Sequence, residues 1–127
     1  MTPCIFCNIP PQEIILKNQL GYARYDKYPV NQGHVLIVPF RHIKTYFDAD
    51  DSEKATLWEL VEEAKGMLDK QFHPDGYNIG INVGEAAGQT VMHLHIHLIP
   101  RYVGDVANPR GGVRGVIPSM QDYRKPH

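Results

Sequence analysis

Histidine alternates with apolar residues in one stretch of the chain, residues 91–99, where His93, His95 and His97 are separated by single aliphatic side chains. A strict period of two is typical of a β-strand, because successive side chains point to opposite faces. The three imidazoles are therefore predicted to project from one face, about 7 Å apart. The opposite face would carry Met92, Leu94, Ile96 and Leu98. Packing explains such a row poorly, so the chain is expected to contain a sheet that presents these rings to a functional site.

The histidine row alone leaves three interpretations open. Alternate histidines on a strand can bind one zinc ion, they can sense pH, or a neutral ring can act as a nucleophile. The preceding loop, residues 84–90, contains two glycines, Gln89 and Thr90. Backbone N–H groups in such a loop can hold phosphate oxygens, which favours catalysis on a phosphate ester.

The remaining segments predict a sheet and one helix. Strands are expected at residues 14–16, 20–25, 34–38 and 77–83, with Pro39 ending the third. Asp50 and Glu53 form a capping-box pattern before a helix that Pro74 and Gly76 should end. The helix has an apolar stripe made of Leu57, Val61, Ala64, Leu68 and Phe72. Strands on both sides of one helix, joined by short turns, predict an α+β fold with an antiparallel sheet.

Composition narrows the protein class. A chain of 127 residues with 43% apolar and 21% charged residues suits one globular domain. A net charge of -1 argues against a nucleic-acid partner, and the apolar runs are too short for a membrane span. Residues 1–4 lack the features of a secretory signal, so we expect a cytoplasmic protein.

Four sequence blocks resemble the histidine triad (HIT) superfamily, in the order in which that family carries them. They are C-I-F-C at residues 4–7, G-H-V-L-I-V-P at 33–39, N-V-G-E-A-A-G at 82–88 and G-Q-T-V-M-H-L-H-I-H-L-I-P-R at 88–101. The resemblance implies an α+β HIT-like fold: a five-stranded antiparallel sheet with one long helix and a shorter helical segment. It assigns residues 4–101 to the HIT domain, and it implies a homodimer whose sheets join. The irregular residues 102–127 are expected to complete the substrate site or the dimer contacts.

The resemblance also implies roles for individual residues. His95 matches the family's nucleophile, which attacks an α-phosphate to form a nucleotidyl-histidine, and a backbone carbonyl would accept the proton on its other nitrogen. His97 would donate to phosphate oxygens, and His93 completes the catalytic triad. Asp26 matches a position that binds the ribose hydroxyls. The other substrate-binding positions are His34, Asn82, Gly88, Gln89 and Thr90. We further expect cationic groups for a long phosphate chain from Arg101, Arg110 and Arg114.

The C-x-x-C pair, Cys4 and Cys7, indicates either metal binding or redox chemistry in a reducing compartment. Related proteins combine such a pair with a histidine after the second block and with the first triad histidine. In this chain those positions are His42 and His93. The resemblance therefore implies a structural zinc site, because two thiolates and two imidazoles form a closed tetrahedral set.

The function expected from this resemblance is hydrolysis of a nucleotide at its α-phosphate, with a diadenosine polyphosphate as the favoured substrate. Three other functions are compatible with the same sequence blocks. They are an adenosine phosphoramidase, a dinucleoside polyphosphate phosphorylase, and a regulatory module that binds nucleotides and turns them over slowly.

Overall fold

The computed structural model describes residues 4–124, which form a five-stranded antiparallel sheet and one long helix. The sheet order is β1-β2-β3-β5-β4, and every neighbouring pair is antiparallel. In chain order the elements are β1 (Leu16–Lys17), β2 (Gly21–Tyr25), β3 (Val35–Pro39), α1 (Asp51–Phe72), β4 (Gly76–Gly80) and β5 (Ile96–Arg101). The α+β class and the five-stranded sheet are confirmed.

Helix α1 begins and ends where its sequence predicts. The Asp50 carboxylate accepts from the Glu53 backbone N–H at 2.8 Å, and the Glu53 carboxylate accepts from the Asp50 N–H at 3.0 Å. At the other end His73 adopts a left-handed conformation, and Pro74 cannot continue the helix. The buried side of the helix carries Leu57, Leu60, Val61, Ala64 and Leu68.

The sheet has two chemically different faces. One packs on α1 through the fully buried residues Ala23, Val35, Ile37, Ile96 and Leu98. The other face carries a smaller apolar cluster of Phe6, Tyr22, Leu36 and Val38. Because side chains alternate along each strand, residues one position away from the helix face lie on this second face, which is free to carry a site.

Strand β5 starts later than its histidine pattern predicts. Residues 91–95 are not part of the ladder, so the expectation of one strand over residues 91–99 is wrong. The partner strand β3 ends at Pro39, which has no N–H to donate, and the Pro39 carbonyl contacts the His93 side chain instead. His93 therefore precedes the strand, and only His97 lies well inside it.

Smaller differences concern the other elements. The first strand is Leu16–Lys17 and not residues 14–16, since the Ile14 N–H closes a 3₁₀ turn onto Pro11. Strand β4 covers Gly76–Gly80 and stops before residue 83. In the described part of the chain, the shorter helical segment is present only as 3₁₀ turns of three to five residues, such as Tyr46–Asp48. Within residues 4–124, no helix combines the length and apolarity that crossing a bilayer requires.

Candidate active site

An open pocket of about 920 Å³ lies on the sheet face opposite α1. Strands β2, β3 and β5 form its floor, and the N-terminal segment and the loop before His93 form its walls. Six residues expected in the site line this pocket: Asp26, Asn82, Gly88, Thr90, His95 and His97. The structure thus brings together residues that are up to 71 positions apart in the chain.

A nearby backbone carbonyl determines which ring nitrogen of His95 carries the proton. Its Nδ1 lies 2.9 Å from the His93 carbonyl oxygen, which can only accept a hydrogen bond, so Nδ1 carries the proton. In the neutral ring the lone pair is then on Nε2, which has no hydrogen-bond partner among residues 4–124. A neutral imidazole at the pocket wall with a free lone pair has the chemistry to act as a nucleophile.

In His97 the proton is on the other ring nitrogen, Nε2, and a chain of hydrogen bonds determines this. The Val30 N–H donates to His34 Nδ1 at 3.0 Å, so neutral His34 carries its proton on Nε2. His34 Nε2 lies 3.0 Å from His97 Nδ1, which then accepts, and the remaining proton of His97 is on Nε2. Burial, with the neighbouring His95 and His34, lowers the pKa of His97 to about 4. His97 is therefore a neutral hydrogen-bond donor near neutral pH.

Asp26 lies beside this chain of histidines at the rim of the pocket. One carboxylate oxygen accepts from the Tyr28 N–H at 2.9 Å, and the other lies 3.5 Å from His34 Nε2. Asp26, His34 and His97 are close enough together to be considered as metal ligands. The Val30 N–H occupies the Nδ1 lone pair of His34, however, and burial lowers the pKa of this ring, so its Nε2 carries a proton and cannot bind a metal.

Four potential metal ligands converge beside the pocket, which Cys4 also lines. Cys4 Sγ lies 3.3 Å and Cys7 Sγ 3.5 Å from His93 Nδ1, and His42 Nδ1 lies 3.1 Å from Cys7 Sγ and 3.2 Å from His93 Nδ1. A tetrahedral zinc site with bonds of about 2.3 Å to sulfur and 2.0–2.1 Å to nitrogen places its ligand atoms about 3.3–3.8 Å apart. The cluster has nearly these separations, although its four residues come from three segments of the chain.

His93 faces this cluster and not the pocket. Its Nε2 lies 2.8 Å from the Pro39 carbonyl oxygen and must donate to it, so the lone pair on Nδ1 points at the two sulfurs. The ring is fully buried, and it is not part of the pocket lining. The His93 side chain therefore does not reach the pocket, and His93 contacts His95 through its backbone carbonyl.

Gln89 also differs from its expected role. Its side chain is buried, its oxygen accepts from the Gly84 N–H at 2.9 Å, and its nitrogen donates to the Lys44 and Val91 carbonyls at 2.7 and 3.1 Å. With these contacts it holds the loop in shape and does not reach the pocket. Gly84 and Gly88 have φ of 89° and 92°, a conformation that favours glycine.

The cationic groups in the pocket are not the ones that we expected. The Arg101 guanidinium pairs with Asp105 and Asn78 beside a different cavity, and Arg110 and Arg114 contact residues of the C-terminal segment. The cations that line the pocket are Arg24 and Lys27, and Glu13 lines it as a second carboxylate besides Asp26. The sequence contains a signal for Arg24, because Tyr22 and Arg24 alternate along β2 and Asp26 continues the alternation directly after it, which predicts one shared face.

Comparisons with known proteins find similar sequences and similar structures. The model of the HIT domain family matches residues 9–104. The chain is 36% identical over 115 residues to a protein of Mycobacterium tuberculosis named AP-4-A phosphorylase, a match covering 88% of this chain but only 59% of that protein's length. It is 36% identical over 100 residues to the bis(5'-adenosyl)-triphosphatase of Dictyostelium discoideum, covering 79% and 67% of the two chains. A Zn-bound histidine triad family protein from Mycobacterium smegmatis superposes with a TM-score of 0.74 at 31% identity, over 83% of this chain and 79% of the other.

Proposed function

This chain belongs to the HIT domain family, and on that premise we propose that it cleaves a dinucleoside polyphosphate at the α-phosphate through a covalent intermediate on His95. The observation that carries the proposal is the hydrogen bond from His95 Nδ1 to the His93 carbonyl, which leaves the Nε2 lone pair available. The names of the two related proteins, AP-4-A phosphorylase and bis(5'-adenosyl)-triphosphatase, agree with this substrate class.

The first chemical step transfers a nucleotidyl group to the ring. The lone pair of His95 Nε2 forms a bond to the α-phosphorus, and the bond from phosphorus to the bridging oxygen breaks. The departing nucleotide keeps that electron pair on its terminal phosphate oxygen. The Nδ1–H bond to the His93 carbonyl stabilises the positive charge that develops on the imidazole.

The second step releases the nucleotide. An acceptor oxygen attacks the same phosphorus, the P–N bond breaks, and its electron pair returns to Nε2. When the acceptor is water, the attacking oxygen releases one proton to the solvent. We propose that the Nε2–H of neutral His97 donates to a nonbridging oxygen in both steps, with Thr90 and Asn82, which also line the pocket, as further donors. Gln89 and His34 act as positioning residues, since the first shapes the loop and the second fixes the proton of His97.

The acceptor decides between hydrolase and phosphorylase, and product identity distinguishes them. With diadenosine tetraphosphate, attack by water gives AMP and ATP, whereas attack by inorganic phosphate gives ADP and ATP. The relative named as a phosphorylase makes the second outcome a specific alternative. We expect AMP and ATP, together with a radiolabelled adenylyl group that denatured protein retains when the reaction is stopped early. Adenosine phosphoramidate is tested as a second adenylyl donor. If neither donor labels the protein or is turned over, the proposal is refuted.

Asp26 is proposed to bind the ribose diol. Replacing it with alanine should weaken the binding of AMP by roughly 1–3 kcal/mol, the range for a charge-assisted hydrogen bond. The binding of 2′,3′-dideoxy-AMP should hardly change, and calorimetric titration with both ligands measures the difference. Asp51→Ala, which removes an exposed carboxylate at the start of α1, is the matched control. Equal losses for both ligands would exclude the ribose contact.

We propose that the cluster of Cys4, Cys7, His42 and His93 binds a structural zinc ion. The fit rests on the ligand separations and on the hydrogen bond to Pro39, which leaves the Nδ1 lone pair of His93 for a metal. When bound, the ion would crosslink the N-terminal segment to the segment that carries His95. It supplies no reaction chemistry, because four protein ligands leave no position for substrate.

We also propose that the protein is a cytoplasmic homodimer joined along β4. This strand is an edge of the sheet, and its Ile79 is 43% exposed. The C-terminal segment beside it exposes Val113, Val116 and Ile117. An edge strand next to apolar side chains is a common pairing surface. Light scattering should give twice the mass of the 14.4 kDa chain.

A further inference from the structure

We infer that Arg24 and Glu13 form a base-reading pair that makes this pocket prefer guanine over adenine. The inference rests on the proposed function, because it takes the pocket to hold a nucleotide with its phosphate at His95. It adds the base of the substrate, which neither the histidines nor Asp26 determines.

Arg24 is a buried cation whose hydrogen bonds are incomplete. Its side chain is only 6% exposed, yet within residues 4–124 it makes a single hydrogen bond, from Nε to the Tyr25 carbonyl at 3.1 Å. The nearest carboxylate oxygen, Glu13 Oε2, is 3.7 Å from Nη1, which is beyond hydrogen-bond distance. Buried charges without hydrogen bonds are costly, so the two terminal nitrogens are expected to serve a ligand.

Glu13 is the complementary half of the pair. Its Oε2 is buried and has no hydrogen-bond partner in the described part of the chain, and its Oε1 is 3.6 Å from the exposed ammonium of Lys27. Both side chains line the nucleotide pocket. The pocket therefore contains a fork of donors directly beside a pair of acceptors. Within residues 4–124, neither the two terminal nitrogens of Arg24 nor the Glu13 carboxylate makes a hydrogen bond.

The register of the sheet locates this pair at the base end of the pocket. Arg24 pairs with Leu36 on β3, and Leu36 pairs with His97 on β5, so all three lie in one row on the same face. Two strand spacings, about 10 Å, separate Arg24 from His97. A nucleotide with its phosphate at His97 and its ribose at Asp26 would extend its base over this floor, between the apolar Ile5, Pro10 and Leu36.

Guanine matches this arrangement of donors and acceptors. Its N7 and O6 are adjacent acceptors that suit the two donors of a guanidinium, as in protein–DNA contacts. Its N1–H and N2–H are adjacent donors that suit a carboxylate, and they follow O6 directly around the ring. Adenine offers a donor at N6 beside its N7 acceptor, so it can satisfy neither group with two bonds. The short distance between Arg24 and Glu13 fits the neighbouring O6 and N1–H of one guanine.

Calorimetric titration of the purified protein with GMP, IMP and AMP tests the inference. We expect GMP to bind about tenfold or more tightly than AMP, the scale of one bidentate base contact. IMP, which lacks the N2 amine, should fall between them. Arg24→Leu should bring the GMP and AMP affinities within about twofold, and Glu13→Gln should remove the advantage of GMP over IMP. Arg110→Leu, which removes a cation outside the pocket, should leave all three affinities unchanged.

The possible results separate this inference from the function on which it rests. If the unmodified protein binds AMP and GMP equally, the base-reading pair is wrong and the proposed catalytic function is unaffected. If it binds neither nucleotide, the proposed function fails and the inference fails with it. The comparison of GMP with AMP uses the unmodified protein, so it tests the inference even if Arg24→Leu folds poorly. A GMP preference that persists in a folded Arg24→Leu variant would also overturn it.

Discussion

Replacing His95 with alanine should lower kcat by about 10⁴-fold or more while leaving the fold and the affinity for nucleoside monophosphates largely intact. Losing the nucleophile removes the covalent route altogether, and deletions of comparable nucleophiles have costs of this order. The ring contributes little to folding, because it lies at the pocket wall and contacts mainly Phe6 and His97. Steady-state turnover of diadenosine tetraphosphate, with nucleotide binding measured in parallel, separates the two effects.

His73→Asn provides the matched control for this variant. His73 lies at the C-terminal end of α1 with a φ of 52°, and asparagine tolerates that left-handed conformation. This substitution removes an imidazole without touching the pocket, so turnover should remain unchanged. If His95→Ala kept a tenth of the original activity, His95 would not be the nucleophile.

The local parts of this fold could be predicted from the sequence. The start of α1 depends on Asp50 and Glu53, which are three residues apart and cap each other without help from the rest of the chain. The end of α1 depends in the same way on Pro74. The carbonyl acceptor for His95 was also expected, since it comes from His93, two residues earlier in the same segment.

Features set by distant segments could not be predicted in this way. The start of β5 at Ile96 depends on where its partner β3 ends, which the alternation of histidines does not encode. Because β5 begins only at Ile96, the His93 ring does not join the other two histidines and is directed to the cysteines. Only the family resemblance connected Cys4, Cys7 and His42 to it, because spacing along the chain says nothing about residues 89 positions apart.

The charged residues show a further limit of what the sequence alone can predict. Arg101 has the basic charge expected of a phosphate contact, but Asp105 four residues later pairs with it and keeps it at another cavity. Arg24 carries the same charge in β2, whose other residues are glycine, alanine and two tyrosines. Its function depends on Glu13, which a turn and a short strand bring beside it. Such a pair is visible only once the sheet is assembled.

The purified, tag-free protein should contain one zinc ion per chain, and its removal should lower the melting temperature by roughly 10 °C or more. The ion would join the segment of Cys4 and Cys7 to His42 and to the fully buried His93, so its loss frees the N-terminal segment. Cys4→Ser and His42→Ala should each release zinc, measured by elemental analysis, and should lower the melting temperature similarly. His73→Asn, the histidine substitution outside the cluster, should do neither.

Turnover distinguishes a structural zinc from a catalytic one. Phe6 lies between the two cysteines and packs against the His95 ring at 5.1 Å between centroids, and Ile5 lines the pocket. Loosening this segment should therefore weaken nucleotide binding several-fold, while Cys4→Ser retains substantial kcat at low temperature. A catalytic ion would give the reverse pattern, with chelation stopping turnover before the protein unfolds. Protein that carries no zinc and keeps its melting temperature in a strong chelator would exclude the metal, because the four side chains would then be held by hydrogen bonds alone.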